Sequence, residues 1–155
     1  MNVHGLAKLP VTLLFFTVFL STISAAIAAD SKYHQRVDDV DFYLAVIPAE
    51  ITQEPSETLN RFKKHETRYH IIVSLFDSPS GRRIAGAKIH AIVSRLADMH
   101  ERHKKLEPML IMDAASYGNY FLMSKPGKYR LRFKMQTPLR KYETTAVFFF
   151  DRPKD

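Results

Sequence analysis

The stretch Lys128–Met135 alternates without a fault: Tyr129, Leu131, Phe133 and Met135 are apolar, and Lys128, Arg130, Arg132 and Lys134 between them are cationic. Period-two sorting of this kind belongs to a β-strand with one buried and one wet face, as in an antiparallel sheet covered on one side. Other parts of the chain obey the same rule. Tyr69–Phe76 puts Tyr69, Ile71, Val73 and Leu75 on one face, and Ala87–Ser94 does so with Ala87, Ile89, Ala91 and Val93. Weaker alternation marks Val40–Ile47, Leu106–Met112, Asn119–Met123 and Tyr142–Phe150 as further strands.

Between these segments lie turn signals rather than helix-length amphipathic patterns. Asp77-Ser78-Pro79-Ser80-Gly81 is a turn by composition, because Pro fixes φ and Gly accepts a positive one. Tyr117-Gly118-Asn119 reads as another turn, and a buried Tyr117 hydroxyl there would need a partner. Leu96–Lys105 is so charged that it reads as an exposed connection, and Gln53–Thr67 as a long charged loop. About seven strands without intervening helices predict an all-β, immunoglobulin-like antiparallel sandwich. Its N-terminal segment, residues 30–39, is polar and expected to be flexible.

The N-terminus has a different logic. One cation, Lys8, precedes an unbroken apolar run, Val11–Leu20, and small residues, Ser21–Ala29, follow. That is the order of a secretory signal peptide, and the run falls well short of the roughly 20 residues that span a bilayer as a helix. Ala26-Ile27-Ala28 supplies the cleavage pattern, so residues 1–29 are expected to be removed and 30–155 to form a single periplasmic domain. The chain has no cysteine, so an exported domain of this size must hold together through its core and can offer no thiolate to a metal. Its formal net charge of +7 comes without a base-stacking platform or a basic helix, which argues against nucleic acid. The charge suits instead an anionic membrane face or an acidic protein partner in the periplasm.

No G-x-S-x-G elbow, phosphate-binding glycine loop or H-E-x-x-H motif is present, so no catalytic residue is assigned and a non-enzymatic role is expected. Metal ligation has more support. Met99-His100-x-x-His103 places two imidazoles close in sequence, although Arg102, Lys104 and Lys105 beside them oppose a bound cation. Thioether and imidazole together favour copper, especially the reduced ion. Met112, Met123 and Met135 lie in apparent strands and are expected in the core. His70 and His90 occupy the non-core faces of two strands that would face one another only if those strands formed a hairpin.

Two stretches resemble known families. Asp77–Val93 (DSPSGRRIAGAKIHAIV) resembles the strand–turn–strand unit of transthyretin-like modules. That resemblance implies that the second strand crosses to the other sheet and that His70 and His90 lie on opposite outer faces. Leu106–Pro138 resembles the C-terminal half of the periplasmic accessory proteins of ferrous-iron uptake. The resemblance rests on Pro108-Met109, Asp113, Tyr117-Gly118-Asn119 and Gly127-Lys128-Tyr129, in that order. Those proteins are immunoglobulin-like and bind copper through His and Met. The resemblance therefore implies Met109 as a ligand; the imidazoles with loop freedom to approach it are His100 and His103, and His70 joins if its strand lies alongside. Two departures accompany it: the family's metal-binding histidine before Tyr-Gly is here Ser116, and its acidic segment is missing. The expected function is a periplasmic binding or accessory protein handling copper or iron. The alternative is a metal-free immunoglobulin-like adaptor or chaperone that offers its basic sheet face to a protein.

Overall fold

The structure, a computed structural model, describes residues 31–52, 67–98, 100–138 and 142–154. The signal peptide expected at 1–29 and residues 53–66 of the charged loop lie outside the described residues. Eight strands are described: β1 (His34–Val37), β2 (Val40–Pro48), β3 (Arg68–Asp77), β4 (Lys88–Arg95), β5 (Glu101–Ile111), β6 (Ala114–Leu122), β7 (Gly127–Gln136) and β8 (Thr144–Arg152). A single 3-10 turn, Ala49–Ile51, follows β2. All pairings are antiparallel, in the order β1-β2-β3-β6-β5-β4-β7-β8.

β5 belongs to both halves of this arrangement. Its first part pairs with β4, from Leu106 opposite Ile89 to Glu101 opposite Ser94, and its second part pairs with β6, from Glu107 opposite Gly118 to Ile111 opposite Ala114. The two halves fold toward each other, and the edges meet where the Val147 amide donates to Gln35 Oε1 at 3.1 Å. The all-β antiparallel sandwich expected from the alternation is therefore present, nearly closed, with eight strands instead of about seven.

The core is made by the inward positions the alternation marked. Tyr129, Leu131, Phe133 and Met135 are buried, as are Tyr69, Ile71, Val73, Leu75, Ile89, Ala91 and Val93. Phe133 packs on Phe148 and Tyr69 on Phe150, with ring centroids 5.9 and 5.4 Å apart, which ties β7 to β8 and β3 to β8. Burying each side chain of this size contributes about 1.5–3 kcal/mol before the entropy of ordering it is counted.

Four expectations are corrected. The extra strand, β1, lies inside the segment read as flexible. It returns on β2 through a tight turn at Asp38 and Asp39, both with positive φ (48° and 57°). Buried Asp41 holds it there, accepting from Arg36 at 2.9 and 3.1 Å and from Ser78 at 2.7 Å, with His34 Nε2 2.8 Å away. Those donors, Arg36 foremost, keep the Asp41 carboxyl far below the usual carboxylate range. Glu101–Lys105, read as a connection, is the first half of β5, where one face is open to solvent and tolerates charge. Tyr117-Gly118-Asn119 is the middle of β6, not a turn. The Tyr117 hydroxyl is satisfied as expected, accepting from the Ala87 amide at 2.9 Å and donating to the Ile84 carbonyl at 3.3 Å. Met112 is not core: it shares the β5–β6 hairpin turn with Asp113, both at positive φ, and is 97 % exposed. Met123 and Met135 are buried as expected.

Candidate metal centre

β3, β6 and β5 are consecutive in the sheet, and their outward positions form rows across it. One row is Ser116 opposite Met109, with Ser74 hydrogen-bonded to Ser116 at 2.9 Å; the next is Ile72, Gly118 and Glu107; a third pairs His70 with Tyr120. β3 and β5 are two strand spacings apart, about 10 Å, so side chains on them do not ordinarily meet. Here they do, because the residue between them on β6 is glycine. A Cβ at Gly118 would stand 2.7 Å from His70 Nε2 and 2.8 Å from Met109 Sδ. The imidazole nitrogen and the thioether sulfur therefore lean over Gly118 from opposite sides and are no more than about 5.5 Å apart. Gly118 is not among the residues with positive φ, so its backbone does not demand glycine; the space above it does.

The His70 ring is buried and held in place. It is 8 % exposed and stacks on Tyr120 with centroids 4.3 Å apart and planes 18° apart. The Tyr120 hydroxyl is in turn 3.1 Å from Thr52 Oγ1, which fixes the stacking ring. Burial pushes the His70 pKa below its ordinary value, which favours the neutral imidazole that metals require. No hydrogen bond to either ring nitrogen is found among the described residues. Met109 is half-buried and borders a cleft of about 240 Å³ with Pro108, Ala115 and Ser116. First-row metals bind nitrogen and sulfur at about 2.0–2.3 Å, so an ion between these two donors needs only a small shift of the flexible thioether.

The other expected ligands lie elsewhere. His103 is on the β4-facing half of β5, opposite Ile92, with Nε2 3.2 Å from Glu101 Oε2 and its side chain 62 % exposed. Six residues of strand separate it from Met109, about 20 Å, so it cannot share an ion with that sulfur. His100 is an exposed residue just before β5, and its backbone amide is engaged by Asp98. Of the four expected ligands, then, His70 and Met109 converge and His100 and His103 do not. His90 is on β4, in the other half of the fold from His70, as the transthyretin-like reading implied. Among the described residues no three His, Asp or Glu side chains converge on a common point. Ser116, where the resemblance leads one to expect a histidine, is buried against Ser74 and offers a hydroxyl instead. The residue that sequence reasoning missed is Gly118. Its signal was available: a glycine inside a strand often marks a close approach.

The chain matches the family model described as Fe2+ transport protein over residues 74–150, almost half its length. No sequence relative is found among curated proteins. Solved structures share the fold at low identity. A copper-bound variant of FetP from uropathogenic Escherichia coli has a TM-score of 0.59 and 12 % identity, covering 77 % of this chain and 93 % of that one. Copper-reconstituted P19 from Campylobacter jejuni has a TM-score of 0.59 and 14 % identity, covering 78 % and 95 %. A DUF4426 family protein from Pseudomonas aeruginosa reaches 0.61 at 15 % identity, covering 79 % and 95 %. Over residues 74–150 the chain thus resembles the Fe2+ transport proteins, the accessory proteins of ferrous-iron uptake.

Proposed function

We propose that this protein is an exported metal-handling accessory protein that holds copper, as Cu(I), between His70 Nε2 and Met109 Sδ. The observation that carries the reading is the gap over Gly118, into which one neutral imidazole and one thioether lean from two different strands. A thioether is a soft donor that selects Cu(I), whereas ferrous iron in carrier sites seeks more oxygen and nitrogen than this pair supplies. Burial of His70 and its stacking on Tyr120 fix one donor, while the flexible Met109 can close on an arriving ion and open to release it. Binding and release without chemistry suit an accessory role, and the Fe2+ transport family match supports it. Copper bound by FetP and P19 is a property of those proteins and lends the same direction. Export belongs to the same reading: the mature N-terminus is expected at Ala29 or Asp30, and recovery of full-length protein solely from membranes would contradict it.

The test is a Cu(I) competition titration of the purified protein. Met109→Leu, which keeps most of the side-chain volume, and His70→Ala should each lose binding; Met109→Leu should unfold like the wild type. His100→Ala and His103→Ala should bind as the wild type does. Absence of Cu(I) binding in the wild type, or equal binding by all four variants, refutes the site and leaves the adaptor reading in its place.

A further inference from the structure

We propose that Glu107 is a third, switchable ligand of this site, which lets a pocket whose fixed donors suit Cu(I) also accept Cu(II). The inference rests on the reading of His70 and Met109 as resident donors. Glu107 stands directly opposite Gly118 in the β5–β6 register. Side chains two apart on a strand share a face, so Glu107 projects on the side of Met109, the side on which Met109 Sδ covers Gly118. Opposed Cβ positions in an antiparallel pair lie about 4.5–5.5 Å apart, and a glutamate arm spans that distance. Gly118 has no Cβ to block it. The carboxylate currently rests on Lys105 Nζ at 3.2 Å, with the two side chains 61 % and 51 % exposed. An exposed pair of that kind is weakly held, and turning Glu107 away from Lys105 toward Gly118 breaks nothing else described for it.

The chemistry gives this arm a purpose. Imidazole and thioether satisfy Cu(I), but Cu(II) favours nitrogen and oxygen donors in a tetragonal set. Among the groups facing Gly118, His70 supplies the nitrogen and Met109 the sulfur, and Glu107 is the side chain in register that adds charged oxygen. Lys105 then acts as a competitor: it holds the carboxylate when no divalent ion is present and releases it when one is. The ion changes ligands and no redox step is involved.

Purified protein is titrated in parallel with Cu(I), against a chromogenic chelator, and with Cu(II), followed by paramagnetic resonance. Glu107→Gln should lower Cu(II) affinity by at least about tenfold and alter the Cu(II) spectrum, while Cu(I) affinity stays within about twofold. Lys105→Ala should tighten Cu(II) binding and leave Cu(I) unchanged. Equal Cu(II) affinity and spectrum in Glu107→Gln and wild type overturn the proposal. Equal loss for both ions also overturns it, since that is the effect of removing a charge rather than a ligand. If the wild type binds neither ion, or if His70→Ala and Met109→Leu bind both as the wild type does, the resident-donor reading fails as well.

Discussion

Adding one methyl group at Gly118 isolates the feature on which the site depends. In Gly118→Ala the new Cβ would lie 2.7 Å from His70 Nε2, 2.8 Å from Met109 Sδ and 3.3 Å from the Ile71 carbonyl oxygen. The first two distances are well inside van der Waals contact, so side chains must move. Met109 can swing its sulfur aside at little cost. His70 is confined, because it is buried and stacked on Tyr120. Overpacking of this kind costs about 1–3 kcal/mol. Against it stands a gain of about 0.4–1 kcal/mol, because alanine restricts the unfolded chain more than glycine does. The balance is a loss of up to about 2.5 kcal/mol, read as a lower urea midpoint at unchanged slope. Copper binding should suffer more than stability, since the methyl occupies the space between the two donors. Shortening one of those donors tests the cause: Met109→Ala in the same chain should recover part of the lost stability without recovering binding. Contacting residues couple by about 0.5–3 kcal/mol, a difference that denaturation curves resolve. A Gly118→Ala protein as stable as the wild type with undiminished Cu(I) affinity would refute the reasoning.

Two further outcomes follow from the same structure. Leu131 is fully buried on β7 between the two halves, so Leu131→Ala should cost about 2–5 kcal/mol in chemical denaturation, and a negligible loss would contradict its place in the core. Because burial depresses the His70 pKa, protons should compete with Cu(I) only below the ordinary imidazole value of about 6.5. The same shift makes the unfolded chain take up a proton before the folded one, so stability should be unaffected by His70 above that pH and should decline as pH falls below it. Titrations across pH 5–8 on wild type and His70→Ala check both; affinity that falls already between pH 8 and 7 would count against His70 as the ligand.

Local pattern determined which way most strand residues face. The faultless alternation of Lys128–Met135 and the apolar face of Tyr69–Leu75 follow from the period of an extended chain, a property of adjacent residues, and both are buried as written in the sequence. The absence of helix-length patterns and of cysteine likewise set the class of fold and the kind of core it needs. Local pattern failed where tertiary surroundings supply what the segment lacks. Glu101–Lys105 is a strand because β4 offers it a hydrogen-bonding edge while its charges stay in water. Gly118 and Asn119, turn residues by habit, are held extended because β3 and β5 flank them. His34–Val37 is ordered by a carboxylate, Asp41, on the following strand. Most of all, sequence could join His70 to Met109 only on the condition that their strands lie alongside, and they are 39 positions apart on strands that never pair. Their meeting depends on β6 lying between β3 and β5 in a register that brings Gly118, and no side chain, under both. Register between distant strands is fixed by the packing of the whole core, and that is decided only when the chain has closed on itself.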